Sequence, residues 1–570
     1  MILDCKNTRD LLLAIATMFQ EKRDELARLD SMVGDGDHGV SMARGAQVAY
    51  REVSVLDENQ PLQEYFKVYG RALVAEIGGA IGPLFGMIFT EFGKCVKNLD
   101  QVTALAAAQA IENSKNKVME FGGAKQNDKT MVDAMIPAAE ASMSAAQVPG
   151  ATLEDVLKAA KNAAYEGVQA TIPLMSRRGR SKFLQEKSIG HQDAGATSYY
   201  YLLNRMYEYC CGNTAYIPVS ANTVHTWDGE YEEESKAAVI SKFINNPDDL
   251  VKETISGYVK AYPDYLKKLP NTNVVARKHQ TLGKVGVIIG NGSGHEPSCL
   301  GFVGENFLDA NACGGIFAAP GPYTILEAIR EANTGAGVCV LISAHAGDIL
   351  NAKMAMDMAE DDGIKVKGIL LYDDVASAAK GQPLSERRGS IGTLFNYKMV
   401  GSYAEGHTLD EVVAMAEKIR DNSRSIAAAM VPGTSPVTGI PMFEAKPGVT
   451  LVGLGVHGES AMQIYENKDC REIARGMISE LVEDKPYVAG DEVAVIVNSA
   501  GQTTQMELMI FYDSVESYLR EKGIRIFHPL IGRYITTQEM GGIGLAVCKM
   551  DEEMKKAWLK PTNAPNFSLI

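Results

Sequence analysis

The sequence predicts a multidomain chain: an all-α helical bundle first, then an α/β region of two subdomains. Three observations predict it. Up to about residue 208 apolar residues recur at helical spacing; beyond residue 236 short β-branched runs alternate with helical patterns; a short acidic, turn-rich run separates the two.

In the first part, Asp10–Leu29 carries Leu11, Leu12, Ile15, Met18, Phe19, Leu26 and Leu29 near the 3.6-residue period, which predicts one amphipathic helix. Val102–Met119 and Leu153–Ile172 are Ala-rich with the same spacing. Glycine clusters at 34–39, 78–86, 122–123 and 190–195 interrupt the pattern, as loops at one end of a bundle would. Residues 210–235 then change character. Pro218, Ser220 and Asn222 lead into Asp228-Gly229-Glu230-Tyr231-Glu232-Glu233-Glu234, a linker composition. In the last part Val285–Ile289, Val338–Ile342, Val366–Tyr372, Thr450–Val452, Val493–Val497, Ile524–Phe527 and Leu545–Cys548 read as buried strands. Helical segments such as Ile349–Asp361 and Glu507–Glu521 lie between them, which predicts largely parallel pairing. The expected limits are 1–209, 210–235 and 236–570, with the two subdomains of the last part dividing near 385–440.

Composition removes several classes of function. A chain of 570 residues is too long for one core. Its 56 basic and 71 acidic side chains leave a net charge of −15, concentrated beyond residue 210, so neither part has the basic field that holds nucleic acid. No apolar run is long enough to span a membrane, and Asp4 and Lys6 break the first apolar stretch, unlike a secretory signal. Nine cysteines without a CxxC argue against structural zinc and a disulfide framework, and make the cytoplasm the expected location.

The chemistry-bearing motifs of the first part sit in its glycine loops. Asp30 and Gly34-Asp35-Gly36-Asp37-His38-Gly39 place three carboxylates within eight positions, a concentration of charge suited to a hard cation. A plain Asp/Gly turn with a helix cap is the alternative. An EF-hand does not fit, because Val40 and Ala46 stand where its Gly and Glu belong. The remaining loops are Gly78-Gly79-Ala80-Ile81-Gly82-Pro83, Gly122-Gly123 with Asp128-Lys129-Thr130-Met131, and Arg178-Gly179-Arg180 with Gly190-His191-Gln192-Asp193-Ala194-Gly195. No GxxxxGK[ST] occurs, so a P-loop is absent.

In this order and spacing the loops resemble the nucleotide-binding L-type domain of the dihydroxyacetone kinase family. The resemblance implies an eight-helix barrel holding ATP and Mg²⁺ at one mouth. It implies Asp30, Asp35 and Asp37 as metal ligands. His38, Gly39, Val40, Ser41, Ala80, Ile81, Gly122, Met131, Arg180, Asp193, Ala194 and Gly195 are implied to line the nucleotide. Ile81, Ser41 and Ala194 replace the small hydroxyl residue, the Asn and the Pro usual there.

In the last part Gly290-Asn291-Gly292-Ser293-Gly294-His295-Glu296-Pro297 follows a strand, where α/β sheets place their ligands. Ser343-Ala344-His345-Ala346-Gly347-Asp348, Asp373-Asp374 and Arg387-Arg388-Gly389-Ser390-Ile391-Gly392-Thr393 also follow strand or precede helix patterns. Each histidine alone could be a satisfied imidazole, and Asp348 a helix cap. Gly453-Leu454-Gly455-Val456-His457-Gly458 matches GxGxxG, the signature of a dinucleotide site, though it lies deep in the chain and contains a His.

The set, with Phe243-Ile244-Asn245-Asn246-Pro247-Asp248-Asp249-Leu250-Val251 at its start, resembles the ketose-binding K-type domain of the same family. There a histidine adds to the substrate ketone as a hemiaminal. The matching residue is His457; Asp348 and His295 match the acid–base pair, and Gly292, Ser293, Gly294, Ser343 and His345 surround the substrate. Ser343, Ala344 and Ala346 stand where Lys, Asn and Thr are usual. The resemblance therefore implies an ATP-dependent kinase of a small ketose. No phosphocarrier domain is recognisable in the chain, which favours ATP as donor. The expected partners are the ketose and ATP or ADP, with neither nucleic acid nor membrane, and the expected assembly is a homodimer. Two other readings remain: a ketose-sensing regulator with a degenerate site, and an NAD-dependent oxidoreductase built on the GxGxxG.

Overall fold

A computed structural model describes residues 2–34, 36, 38–216, 241–459, 461–485 and 487–569. Two units emerge, Met1–Gly229 and Glu230–Ile570. No helix among the described residues is long and apolar enough to cross a membrane, and all nine cysteines are free thiols.

In the first unit the described α-helices are α1 (Cys5–Glu21), α2 (Arg23–Ser31), α3 (His38–Ser54), α4 (Leu62–Glu76), α5 (Ile81–Cys95), α6 (Ala104–Gly122), α7 (Val132–Ala146), α8 (Leu153–Thr171) and α9 (Ala194–Cys210). From α3 onward each helix packs on the next, and α9 returns onto α1 and α2, closing a barrel. Its interior is filled by Phe19, Tyr69, Phe85 and Phe89, with the Tyr69 and Phe89 ring centroids 4.3 Å apart. The single helix expected over Asp10–Leu29 is two. Lys22, at φ −90° and ψ 4°, separates α1 from α2, because the polar run Gln20–Glu25 has no apolar face to hold the axis straight and Leu26 turns inward beyond it. Of the expected linker, residues 217–235 lie outside the described residues. Cys210 ends α9, and Arg205 donates to the Asn213 and Ala215 carbonyls, so the chain stays on the helical unit that far.

The second unit contains two six-stranded sheets. The first comprises β1 (Leu266–Lys268), β2 (Val274–Arg277), β3 (Gly286–Ser293), β4 (Ala310–Ile316), β5 (Val338–Ser343) and β6 (Val366–Leu371), in the order β1-β2-β4-β3-β5-β6. Strands β4, β3, β5 and β6 are mutually parallel. The second comprises β7 (Ser423–Val431), β8 (Val449–Val452), β9 (Gln463–Glu466), β10 (Glu492–Ser499), β11 (Arg525–Gly532) and β12 (Gly541–Lys549), in the order β11-β10-β12-β7-β8-β9. Here the expected parallel pairing fails: only β10 and β11 run parallel, and the other pairs are antiparallel. The link from β8 to β9 is too short for a crossover helix, so these neighbours must reverse direction. Fully buried Val287, Ile289, Cys339 and Leu341 fill one side of the first sheet, and Val493, Val495 and Val497 face a second core built with the helices Cys470–Asp484 and Gln505–Glu521.

Candidate functional site

Alternation along the helical barrel gathers the N-termini of α3, α5, α7 and α9 at one end. His38 Nε2 lies 2.6 Å from Ser198 Oγ, joining α3 to α9, and Gly195 packs on Met131 at the start of α7. Gly122 closes α6 beside Leu84 of α5. The first turns of α3, α5 and α9 contain no carboxylate, and α5 has no side-chain cap either, whereas Asp30 accepts from the first N–H of α3 and Asp193 caps α9. Three such ends at one mouth suit a polyanion, while the fourth, α7, carries Asp133 in its first turn.

Of the residues expected at this mouth, Ala80 and Ile81 begin α5, Met131 precedes α7, and Asp193 caps α9 by accepting from the Ala196 N–H at 2.6 Å. Ala194 and Gly195 open α9, and Arg180 begins a 3₁₀ stretch. Gly39, Val40 and Ser41 form the first turn of α3. Gly39 has a packing reason of its own: a Cβ there would stand 1.9 Å from the Arg23 carbonyl oxygen of α2. Asp30, in the last turn of α2, accepts from the His38 N–H at 3.3 Å. Asp35 and Asp37 lie outside the described residues. Burial pushes the Asp193 carboxyl up to about 7, and neighbouring Asp133 and Asp30 push it the same way, against the Ala196 N–H and Lys129. Carboxylates crowded like this, with hard oxygen donors, fit Mg²⁺.

In the α/β unit the strand ends build the second site. His295 follows β3, His345 follows β5, Asp373 and Asp374 follow β6, and His457 lies in the turn after β8. His295 Nε2 and His457 Nε2 are 3.0 Å apart, and the His345 ring is 5.8 Å from that of His457. Phe317 packs against both His295 and His457 at 5.0 and 5.4 Å between centroids. Asp348, in the first turn of the helix Ala346–Asp361, is buried with Oδ2 4.0 Å from His345 Nδ1. Ser343 Oγ is 3.2 Å from the same nitrogen. Ser293, expected at the substrate, donates its hydroxyl to the Gly314 carbonyl at 2.9 Å. Gly292 and Gly294 bring the backbone against Phe317 and Ala318.

Three partners, Thr536, Glu459 and Phe317, were not singled out from the sequence, and Arg388 stood there only within the loop 387–393. The Thr536 carbonyl accepts from His295 Nδ1 at 2.7 Å, and Glu459 Oε1 lies 3.3 Å from His457 Nδ1. Arg388 pairs with Glu459 at 3.2 Å and with Asp374 at 2.9 Å, and the Phe317 ring packs on both histidines. Burial alone would raise the Glu459 carboxyl, but Arg388, His457 and His345 hold it well below the usual carboxylate range. Its position two residues after His457 was the only sequence signal for it.

The Thr536 carbonyl can only accept, so its contact with His295 calls for a hydrogen on Nδ1 of that ring, and the Glu459 carboxylate offers His457 Nδ1 an acceptor.

The GxGxxG at 453–458 serves this site rather than a dinucleotide. A turn and then strand β9 follow it, not a helix. Any side chain on Gly455 would strike Glu459 and Arg388, at 2.0 and 2.2 Å from its Cβ. Arg388 is 4 % exposed and holds two buried carboxylates. Arg388→Met is therefore expected to destabilise the α/β unit by roughly 3–5 kcal/mol, read as its urea unfolding transition. A loss below about 1 kcal/mol, the size of an exposed ion pair, would contradict this.

Comparison with known proteins matches the Dak1 domain family over residues 256–566 and the DAK2 domain family over 32–208. A PTS-dependent dihydroxyacetone kinase 1, dihydroxyacetone-binding subunit DhaK, of Listeria innocua is 35% identical over 315 residues, spanning 55% of this chain and 95% of that protein. An L-erythrulose kinase of Pectobacterium atrosepticum is 31% identical over 331 residues, 57% of this chain and 55% of that protein. Among solved structures, the dihydroxyacetone kinase of C. freundii in complex with AMP-PNP and Mg²⁺ superposes with a TM-score of 0.53 at 27% identity, covering 57% of this chain and 60% of that one.

Proposed function

Because the chain belongs to the dihydroxyacetone kinase family, with both its Dak1 and DAK2 domains, we propose that it transfers the terminal phosphate of ATP to a terminal hydroxyl of a small ketose. The observation that carries this reading is the line Thr536 carbonyl, His295, His457, Glu459, which sets the two imidazoles 3.0 Å apart through their Nε2 atoms.

That line is arranged for adding nitrogen to a ketone. In this step His295 enters protonated on both ring nitrogens, and the His457 Nε2 lone pair attacks the carbonyl carbon. The N–C bond forms, the C=O π bond breaks, and His295 delivers its proton to the oxygen. A hemiaminal hydroxyl results, and the positive charge remains on His457, opposite Glu459. Capture fixes a small hydrated molecule in one orientation, and a polyol without a carbonyl cannot be captured. Asp348, buried one residue contact from the pair, accepts the proton of the terminal hydroxyl as it attacks phosphorus. Asp30, Asp35 and Asp37 would hold Mg²⁺ beside the helix N-termini that would receive the nucleotide phosphates, and the ion would supply charge neutralisation during phosphoryl transfer.

For the ketose, a four- or five-carbon chain is the better fit. Ser343 and Ala344 leave room and remove polar partners, while His345, beside both Ser343 and His457, offers a ring nitrogen to an additional hydroxyl. One added hydrogen bond is worth about 0.5–1.5 kcal/mol, or about 2- to 10-fold. The kcat/KM of the purified chain with ATP and Mg²⁺ is expected to be higher by that factor for an erythrulose than for dihydroxyacetone. A clear lead for dihydroxyacetone would end the substrate claim.

A further inference from the structure

His345, His457 and Glu459 have a capacity the kinase reading does not use. One donor atom from each lies within 4.8 Å of the other two, and His457 Nδ1 is 3.3 Å from Glu459 Oε1. Ligands about 2.0–2.1 Å from a tetrahedral metal stand about 3.3 Å apart, so that edge already has the right length. The His345 edge needs only a side-chain adjustment. Two imidazoles and one carboxylate with an open fourth position select a borderline ion such as Zn²⁺ over Mg²⁺.

We infer that this trio is an inhibitory Zn²⁺ site that excludes the ketose. The hydrogen-bonded neighbours of His457 support it. A neutral imidazole bound to a metal through Nδ1 carries its hydrogen on Nε2. That N–H donates to His295 Nε2, whose own Nδ1–H donates to the Thr536 carbonyl. Every bond in the line then has one donor and one acceptor. This is the outer-shell pattern that orients a metal-bound histidine. The same arrangement removes the Nε2 lone pair, the atom proposed to capture the ketone. The inhibitory consequence thus rests on the kinase reading, whereas the metal site itself does not. His345 is the residue that completes the site.

The test uses the full chain, stripped with a chelator and held in excess Mg²⁺ to saturate all-carboxylate sites. Co²⁺ is expected to bind one equivalent with the intense visible bands of a four-coordinate ion, without the near-ultraviolet band of thiolate ligation. Zn²⁺ should displace it. His345→Gln should weaken Co²⁺ binding at least about tenfold, with circular dichroism confirming the fold, and His345→Asn serves if that variant does not fold. Zn²⁺ should suppress the dihydroxyacetone mass adduct, and the chelator should restore it. Absent bands, bands unchanged in the folded His345 variant, or full adduct with the metal bound would overturn the inference. The cobalt spectrum involves no ketose or ATP, so a failure of the kinase reading leaves that arm intact.

Discussion

His457→Ala is expected to remove the mass increment of a bound ketose from the intact protein and to lower kcat/KM at least about a hundredfold. The nucleophile has to be the imidazole whose other nitrogen is held by a carboxylate, because only that ring can carry the charge created by addition. His457 meets this condition through Glu459, whereas His295 is anchored to a neutral carbonyl. Loss of the covalent tether should also blunt the preference for a ketose over glycerol, since both would then bind only through their hydroxyls. His295 Nε2 loses its partner in the variant but keeps its bond to Thr536, so the fold should survive. A full-strength adduct in His457→Ala would move capture to another residue, with His345, 5.8 Å away between ring centroids, the first to test.

Asp35→Asn is expected to cut ATP-dependent turnover by about 10²- to 10³-fold while leaving the ketose adduct at full strength. The amide keeps the size of the side chain and removes its charge, so it isolates the metal from the loop's shape. Asp30, at the end of α2, and Asp193, raised to about 7, show the carboxylate crowding on this mouth. Removing one charge should therefore weaken the cation rather than the barrel. Single-turnover rates over a range of Mg²⁺ provide the check: partial recovery at high Mg²⁺ is expected, and unaltered turnover would remove Asp35 from the metal set.

Much of the architecture was legible because its signals are local. Helical spacing in α6 and α8 and β-branched runs in β3, β5 and β10 depend on neighbours a few residues away. Strands β4 and β7 gave no such signal. Their sequences, ANACGGI and SRSIAAAMV, are built from small residues that become strands only through buried pairing with their neighbours. The break at Lys22 and the antiparallel second sheet likewise follow from packing and connection length.

The site divides the same way. His295, His345 and His457 each sit in a glycine-bearing turn at a strand end, a local pattern. Their partners do not. Thr536 contributes a backbone carbonyl, which any residue could supply, and Arg388 reaches Glu459 across two loops. The contact between His295 and His457 emerges only when the fold brings their two turns together. Sequence spacing holds no trace of it.

The central claim is that one chain captures a ketose and phosphorylates it from ATP. ³¹P NMR of the purified full chain with ATP, Mg²⁺ and L-erythrulose tests it most directly. The account predicts stoichiometric conversion of the γ-phosphate resonance into a ketose phosphate monoester with matching growth of ADP, abolished in His457→Ala. A ketose adduct that forms while ATP stays intact would contradict it, leaving a protein that binds the ketose without phosphorylating it.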